Sequence, residues 1–60
     1  VKVGDLVKDF LTERVGVIVE KGKDPERAGE RYRVYWTTQG LSLFRPGYEE
    51  WMMWASLEAL

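Results

Sequence analysis

The side chains able to do chemistry are few, and their types decide more than their positions. The chain has no cysteine and no histidine. That removes a thiolate nucleophile and the group best suited to moving protons near neutral pH. It also removes the usual ligands of zinc, haem and iron–sulfur sites. The hydroxyl residues Thr12, Thr37, Thr38, Ser42 and Ser56 have no base at a motif spacing. Glu49 and Glu50 are adjacent, so on a strand their carboxylates point to opposite faces and cannot act as an acid pair. No segment has the ligand rhythm of a calcium loop. The sequence therefore predicts no catalytic residue, no metal site and no cofactor, and points to a chain that is not an enzyme.

Binding remains, and two groups of residues offer it. Three Trp, three Tyr, two Phe and two Met lie within sixty residues. Each ring can bury ~150–250 Å², so the set is more than a core of this size readily hides. Trp36 and Trp51 are expected in the core. Phe44, Tyr48, Met52 and Trp54 are the candidate protein-binding residues, forming an apolar patch for a protein partner or a second copy in a homo-oligomer. The competing reading makes the same residues a second small core. A narrower version builds an aromatic cage for a methylated cation from Tyr35, Phe44, Tyr48 and Trp54.

The second group is basic. Lys21, Lys23, Arg27, Arg31 and Arg33, with Tyr35 among them, could hold phosphates and stack a base of single-stranded nucleic acid. Residues 21–48 carry six basic and three acidic groups, whereas residues 49–60 carry three acids and no base. The overall net charge is −1, and Asp24, Glu26 and Glu30 lie close by. A nucleic-acid binder is usually basic, so the plainer reading is a solvated face with Tyr35 along the arginine stems. No apolar run approaches the ~18 residues of a membrane span.

These residues must be positioned by strands. Sixty residues make a single domain, 1–60, of marginal stability. Val15-Gly16-Val17-Ile18-Val19-Glu20-Lys21 is the clearest strand signal, with Val17 and Val19 expected to anchor the core and Gly16 to mark a bend or a close approach. Val1–Val3 and Leu6–Lys8 read as one strand kinked at Gly4-Asp5. Asp9 to Arg14 reads as a polar loop in which Phe10 and Leu11 either cover the core or leave Phe10 half exposed. Lys21 to Glu30 is a turn-rich loop around Pro25. In Arg31–Trp36, Tyr32, Val34 and Trp36 share one face and Arg31, Arg33 and Tyr35 the other, the alternation of a strand with one wet face. Residues 37–48 form an extended loop in which Leu41–Phe44 is a short strand or an apolar loop over the core. From Glu49 onward two readings are open: a strand with Trp51 and Met53 on one face and Met52 and Trp54 on the other, or a helix with a Met53, Trp54, Leu57, Leu60 stripe, which local propensity favours.

The elements Val3-Gly4-Asp5-Leu6-Val7, Gly16-Val17-Ile18-Val19-Glu20, Tyr32-Arg33-Val34-Tyr35-Trp36, and Trp51 ahead of Leu57-Glu58 together resemble the small SH3-like barrel proteins of marine phages and their bacterial hosts. More loosely, they are similar to KOW and Tudor-type modules. The resemblance covers the chain except for residues 37–48. It implies a mostly β fold of about five antiparallel strands closed into a small barrel. It also implies a strand through about Trp54, a short 3₁₀ turn near residues 55–57 and a brief last strand. It specifies a fold better than a function. The function expected is an interaction module for a protein or for itself, with nucleic-acid binding as the alternative. No signal-peptide pattern appears, so the expected location is cytoplasmic or virion-associated.

Overall fold

The computed structural model describes residues 1–23 and 29–60. Five strands form: β1 (Leu6–Asp9), β2 (Val15–Lys23), β3 (Glu30–Trp36), β4 (Glu49–Met53) and β5 (Leu57–Ala59). A 3₁₀ turn at Trp54–Ser56 joins the last two. The strands make one antiparallel sheet in the order β4-β3-β2-β1-β5. The molecule is thus mostly β, with the five antiparallel strands expected. Residues 49–60 follow the strand, 3₁₀ turn, strand course and not the helical one that propensity favours. β4 and β5 are the edges of the sheet, which is open among the described residues.

β3 sets the inner face. Tyr32, Val34 and Trp36 are buried, and Arg31, Arg33 and Tyr35 lie on the other side, as the alternation predicts. Directly paired residues of an antiparallel ladder share a face. Gly16 pairs with Trp36 and Ile18 with Val34, so Gly16 and Ile18 point inward. This corrects the expectation for β2: Ile18 is in the core, Val17 is only half-buried, and Val19 is 38% exposed. The register breaks between Ile18 and Glu20, leaving Val19 as the extra residue of a bulge. β-Branched residues on both faces made either choice of inner face plausible, and pairing with β3 decides it.

Gly16 permits a close approach. A Cβ there would lie 2.5 Å from Val34 Cγ1 and 2.7 Å from the Tyr35 carbonyl oxygen. The core is Val7, Ile18, Tyr32, Val34, Trp36 and Leu57, with Tyr48 and Met52 packed against it. Fully burying Val7, Ile18 or Val34 contributes roughly 1.5–3 kcal/mol each.

Four further expectations change. Val1–Asp5 is a turn, with Gly4 at φ 97° and Asp5 N–H donating to the Lys2 carbonyl, so the first strand starts only at Leu6. Asp9 to Arg14 is not simply a polar loop: Asp9 closes β1, and both end residues are buried. Trp51 is not core but 38% exposed on the outer face, because it pairs with Arg33 and not with Tyr32 or Val34. β2 also runs to Lys23, beyond the expected start of the loop. Arg27 lies outside the described residues.

Candidate functional site

The loop at residues 37–48 is pinned at both ends. The Thr37 and Thr38 amides both donate to the Val15 carbonyl, and Thr38 Oγ1 accepts the Val15 amide at 2.9 Å. At the other end the Gly47 amide donates to the Trp36 carbonyl and the Trp36 amide to that of Tyr48. The middle is tied down as well, because the Leu41 amide donates to the Thr12 carbonyl. Gly40 has φ 54°, and a Cβ there would run into the main chain of residues 12–14. Within the tip, Ser42 Oγ accepts the Phe44 amide at 3.1 Å, and Gln39 Nε2 donates to the Ser42 carbonyl at 3.0 Å.

This tied-down tip presents apolar side chains to solvent. Leu43 is 95% exposed, and Leu41 and Phe44 are each 70% exposed. The segment is therefore a surface loop, neither a strand nor a cover for the core. Leu11 and Phe10, on the turn against which the tip rests, are exposed too. That turn is held on its other side by the Phe10 amide donating to the Ser56 carbonyl.

The four residues picked from the sequence do not form one patch. Phe44 stands at the tip, its ring edge-on to Tyr48 at 6.4 Å. Tyr48 and Met52 pack against the core. Trp54 meets Tyr32 edge-on at 5.9 Å. Tyr32 is four residues from Trp36, about 13 Å along a strand, and so lies away from the loop. Tyr35 is on the outer face, so the walls of the imagined cage are not brought together either. Leu11, Leu41 and Leu43, apolar in the sequence but not among the four candidate residues, are the ones exposed beside Phe44.

Beneath the tip lies the feature that sequence reading missed altogether. Arg14 is only 6% exposed. Its guanidinium carbon sits 4.0 Å from the centre of the Trp36 ring. Nε donates to Thr12 Oγ1 at 2.9 Å, and NH1 donates to the Tyr48 hydroxyl. NH2 donates to Asp9 Oδ2 at 2.8 Å and to Glu50 Oε1 at 3.1 Å. Burial acts against the Asp9 carboxylate. Even so, the Arg14 guanidinium, the Leu11 amide and the Thr12 hydroxyl together hold its pKa below the usual carboxylate value. Burial likewise acts against the Arg14 cation, and its bonds to Asp9 and Glu50 raise its pKa on balance. A buried cation is tolerated only when paired and hydrogen-bonded, and this one is paired with two carboxylates and bonded through all three of its nitrogens. The signal was period two: Val7 and Asp9 share a face, as do Arg14, Gly16 and Ile18. Taking the wrong inner face of β2 hid Arg14.

The basic residues divide between the two faces. Arg31, Arg33 and Tyr35 lie outside. Lys21 pairs with Tyr32 and Lys23 with Glu30, which puts them on the other side. Arg31 stacks on Trp51 at 4.5 Å, and the Trp51 ring leans over Gly22, whose Cβ would be 3.3 Å away. Arg33 is bridged by Glu20 at 3.3 Å and Glu49 at 3.1 Å. Lys21 is bridged by Glu30 at 3.3 Å. The Tyr32 hydroxyl also donates to Glu30, which together with Lys21 lowers the Glu30 pKa.

A shallow depression lined by Tyr35, Trp36, Thr37, Pro46 and Gly47 lies at the start and end of the loop. Among the described residues no group of three or more acidic, His or Cys side chains is placed to hold a metal ion. Likewise, no helix among them is long and apolar enough to cross a membrane. No protein-family model, curated protein or solved structure matches the chain.

Proposed function

We propose that the chain is a non-enzymatic interaction module that docks a protein partner through the apolar tip Leu41–Phe44 together with Leu11. The observation that carries this is the combination of order and exposure at the tip. A loop tied to its neighbours by backbone hydrogen bonds presents Leu43 almost fully to water. Ordered apolar side chains bind at lower entropic cost than mobile ones, and clustered exposed apolar groups are the usual mark of a contact surface. The relation to SH3-like barrel modules is part of the same reading. It is supported by five antiparallel strands and a 3₁₀ turn before the last one. The proposed location is the cytoplasm or a virion.

Site-specific photo-cross-linking in the native host tests the reading. A benzophenone side chain at position 43 is expected to give a discrete protein adduct that is lost in a Phe44→Ser background with an unchanged melting temperature. The same probe at the exposed Glu58 serves as reference. Position 43 giving no adduct, or the same adducts as position 58, overturns the proposal.

Nucleic-acid binding through Lys21, Lys23, Arg31, Arg33 and Tyr35 is the second reading. It is less well supported, since these residues divide between two faces and the arginines are already partnered.

A further inference from the structure

We infer that the free edge of β4 pairs with the β4 of a second copy, antiparallel and centred on Trp51, to make an isologous dimer with one continuous sheet. This deepens the reading as an interaction module and rests on it only for the class of function, since it uses a different surface from the loop tip.

Hydrogen-bond parity fixes which way each residue of β3 and β4 turns its main-chain groups. The Thr37 amide donates to the Val15 carbonyl and the Trp36 amide to that of Tyr48. Along an antiparallel ladder such bonded pairs recur every second residue. Tyr35, Arg33 and Arg31 therefore direct their main-chain groups to β2, and Trp36, Val34 and Tyr32 direct theirs to β4. On β4 the partners Glu50 and Met52 are consumed by β3. The amides and carbonyls of Glu49, Trp51 and Met53 point outward, and β4 is the end strand of the sheet.

Natural edges are blunted by charged side chains, proline, a bulge or a covering element. Among the described residues β4 carries no lysine, proline, bulge or cover; its charges, Glu49 and Glu50, sit together at one end and leave Trp51–Met53 uncharged. Its sequence is Glu-Glu-Trp-Met-Met, and its register with β3 is unbroken from Glu49 to Met53. Trp51, its largest side chain, leans away from the edge, across Arg31 to Gly22. Met52 turns to the core, and Trp54 packs on Tyr32.

The occupant is a second copy because the strand is complementary to itself when centred on Trp51. Centred on Trp51, Glu49 faces the partner copy's Met53 position and Glu50 faces its Met52 position. No acid then meets an acid, and the Arg31 that pairs with Met53 within each copy lies in the same row as the incoming Glu49, one strand beyond Met53 and about 10 Å away. A register centred on Glu49 or Glu50 sets like charges opposite each other, which destabilises a ladder. The Trp51 register also engages all five residues and closes three bonded pairs, at 49/53, 51/51 and 53/49.

Met53 supplies the test. Its φ is −74°, already within proline's range, and its amide is one of the outward-pointing ones. Met53→Pro thus removes a dimer bond from each copy without removing a β3–β4 bond. By sedimentation the wild type is expected at twice the 7.0 kDa chain mass. Met53→Pro is expected to raise the dissociation constant by about 30-fold or more, from two lost hydrogen bonds. Trp51→Lys, which places a cation at the centre of the pair, provides a second disruption free of proline. Amide exchange should show concentration-dependent protection at Glu49, Trp51 and Met53, and constant protection at Glu50 and Met52. A wild type that stays monomeric at millimolar concentration overturns the inference and leaves the loop-tip reading standing. So does a dimer that survives Met53→Pro but dissociates in Leu43→Ser. Assemblies larger than a dimer that Met53→Pro abolishes overturn the isologous register in favour of a head-to-tail one.

Discussion

At the scale of single residues, two glycines separate close approach from accommodation. Gly16 faces the core against Val34, and an added Cβ would also meet the Tyr35 carbonyl oxygen, which is main chain and cannot rotate away. Gly22 faces outward beneath the Trp51 ring, whose nearest atoms are 3.3 Å from that Cβ, and these are the far edge of a partly exposed side chain that can shift by a few tenths of an ångström. Overpacking a site that cannot relax costs about 1–3 kcal/mol. A domain of this size seldom has more than ~3–5 kcal/mol in all. Gly16→Ala is therefore expected to lower the urea midpoint by half or more with an unchanged slope. Gly22→Ala should change the midpoint little while shifting the Trp51 fluorescence. A Gly16→Ala variant that unfolds with the wild type would mean that β2 and β3 are not in such close contact there.

At the scale of elements, Arg14 joins parts of the chain that are distant in sequence. Asp9 ends β1, Arg14 precedes β2, Tyr48 ends the long loop and Glu50 lies in β4. The cluster fastens the base of the loop to the β1–β2 turn, and the apolar tip rides on that base. Its pH dependence follows from Asp9, whose carboxyl, bonded to the Arg14 guanidinium, titrates below the usual aspartate value. A carboxyl depressed in the folded state contributes stability that is fully present above its unfolded value. That contribution is lost as pH falls through the folded one. The wild type should thus lose stability progressively below about pH 4. Asp9→Asn should be weaker at pH 7 by about 3 kcal/mol, the cost of breaking a buried pair, with a flatter profile from pH 5 to 2. Melting temperatures of both proteins across that range are the check, and parallel profiles would remove Asp9 from the account. This cluster also marks the limit of what could be read from the sequence. The clean alternation of Tyr32, Val34 and Trp36 identified β3 and its inner face. The chain order of strands and turn after Glu49 followed from the resemblance against local propensity. Arg14 was out of reach because it depends on which face of β2 is inside. Valines at 15, 17 and 19 outvoted Gly16 and Ile18 until pairing with β3 was known. The loop's apolar residues were visible as composition. Whether they turn inward or outward depends on main-chain bonds to Thr12 and Val15, from parts of the chain that no local pattern links to them.

At the scale of the whole molecule, charge decides between the two classes of partner. The chain carries a net −1, so long-range steering toward a polyanion is absent and any attraction must be local. On the outer face Glu20 and Glu49 both bridge Arg33, and Arg31 is held by its stack on Trp51. These bridges are exposed and each is worth at most ~1 kcal/mol, so a phosphate could compete for Arg33 at low ionic strength. It would leave two carboxylates unpaired beside the ligand, and that repulsion is the real barrier. Two outcomes follow. A single-stranded oligonucleotide should show no measurable binding to the wild type near physiological salt, where the screening length is about 8 Å. Glu20→Gln with Glu49→Gln moves the net charge from −1 to +1 and frees Arg33 beside Tyr35, Arg31 and Trp51. That variant should bind the same oligonucleotide at low salt, with an affinity that falls as salt rises, by a slope of about one or two released ions. Fluorescence anisotropy over a salt series measures both. Tight binding by the wild type at physiological salt, abolished by Arg31→Ala with Arg33→Ala, would reverse the order of the two readings. It would make the outer face, and not the loop tip, the surface through which the protein acts.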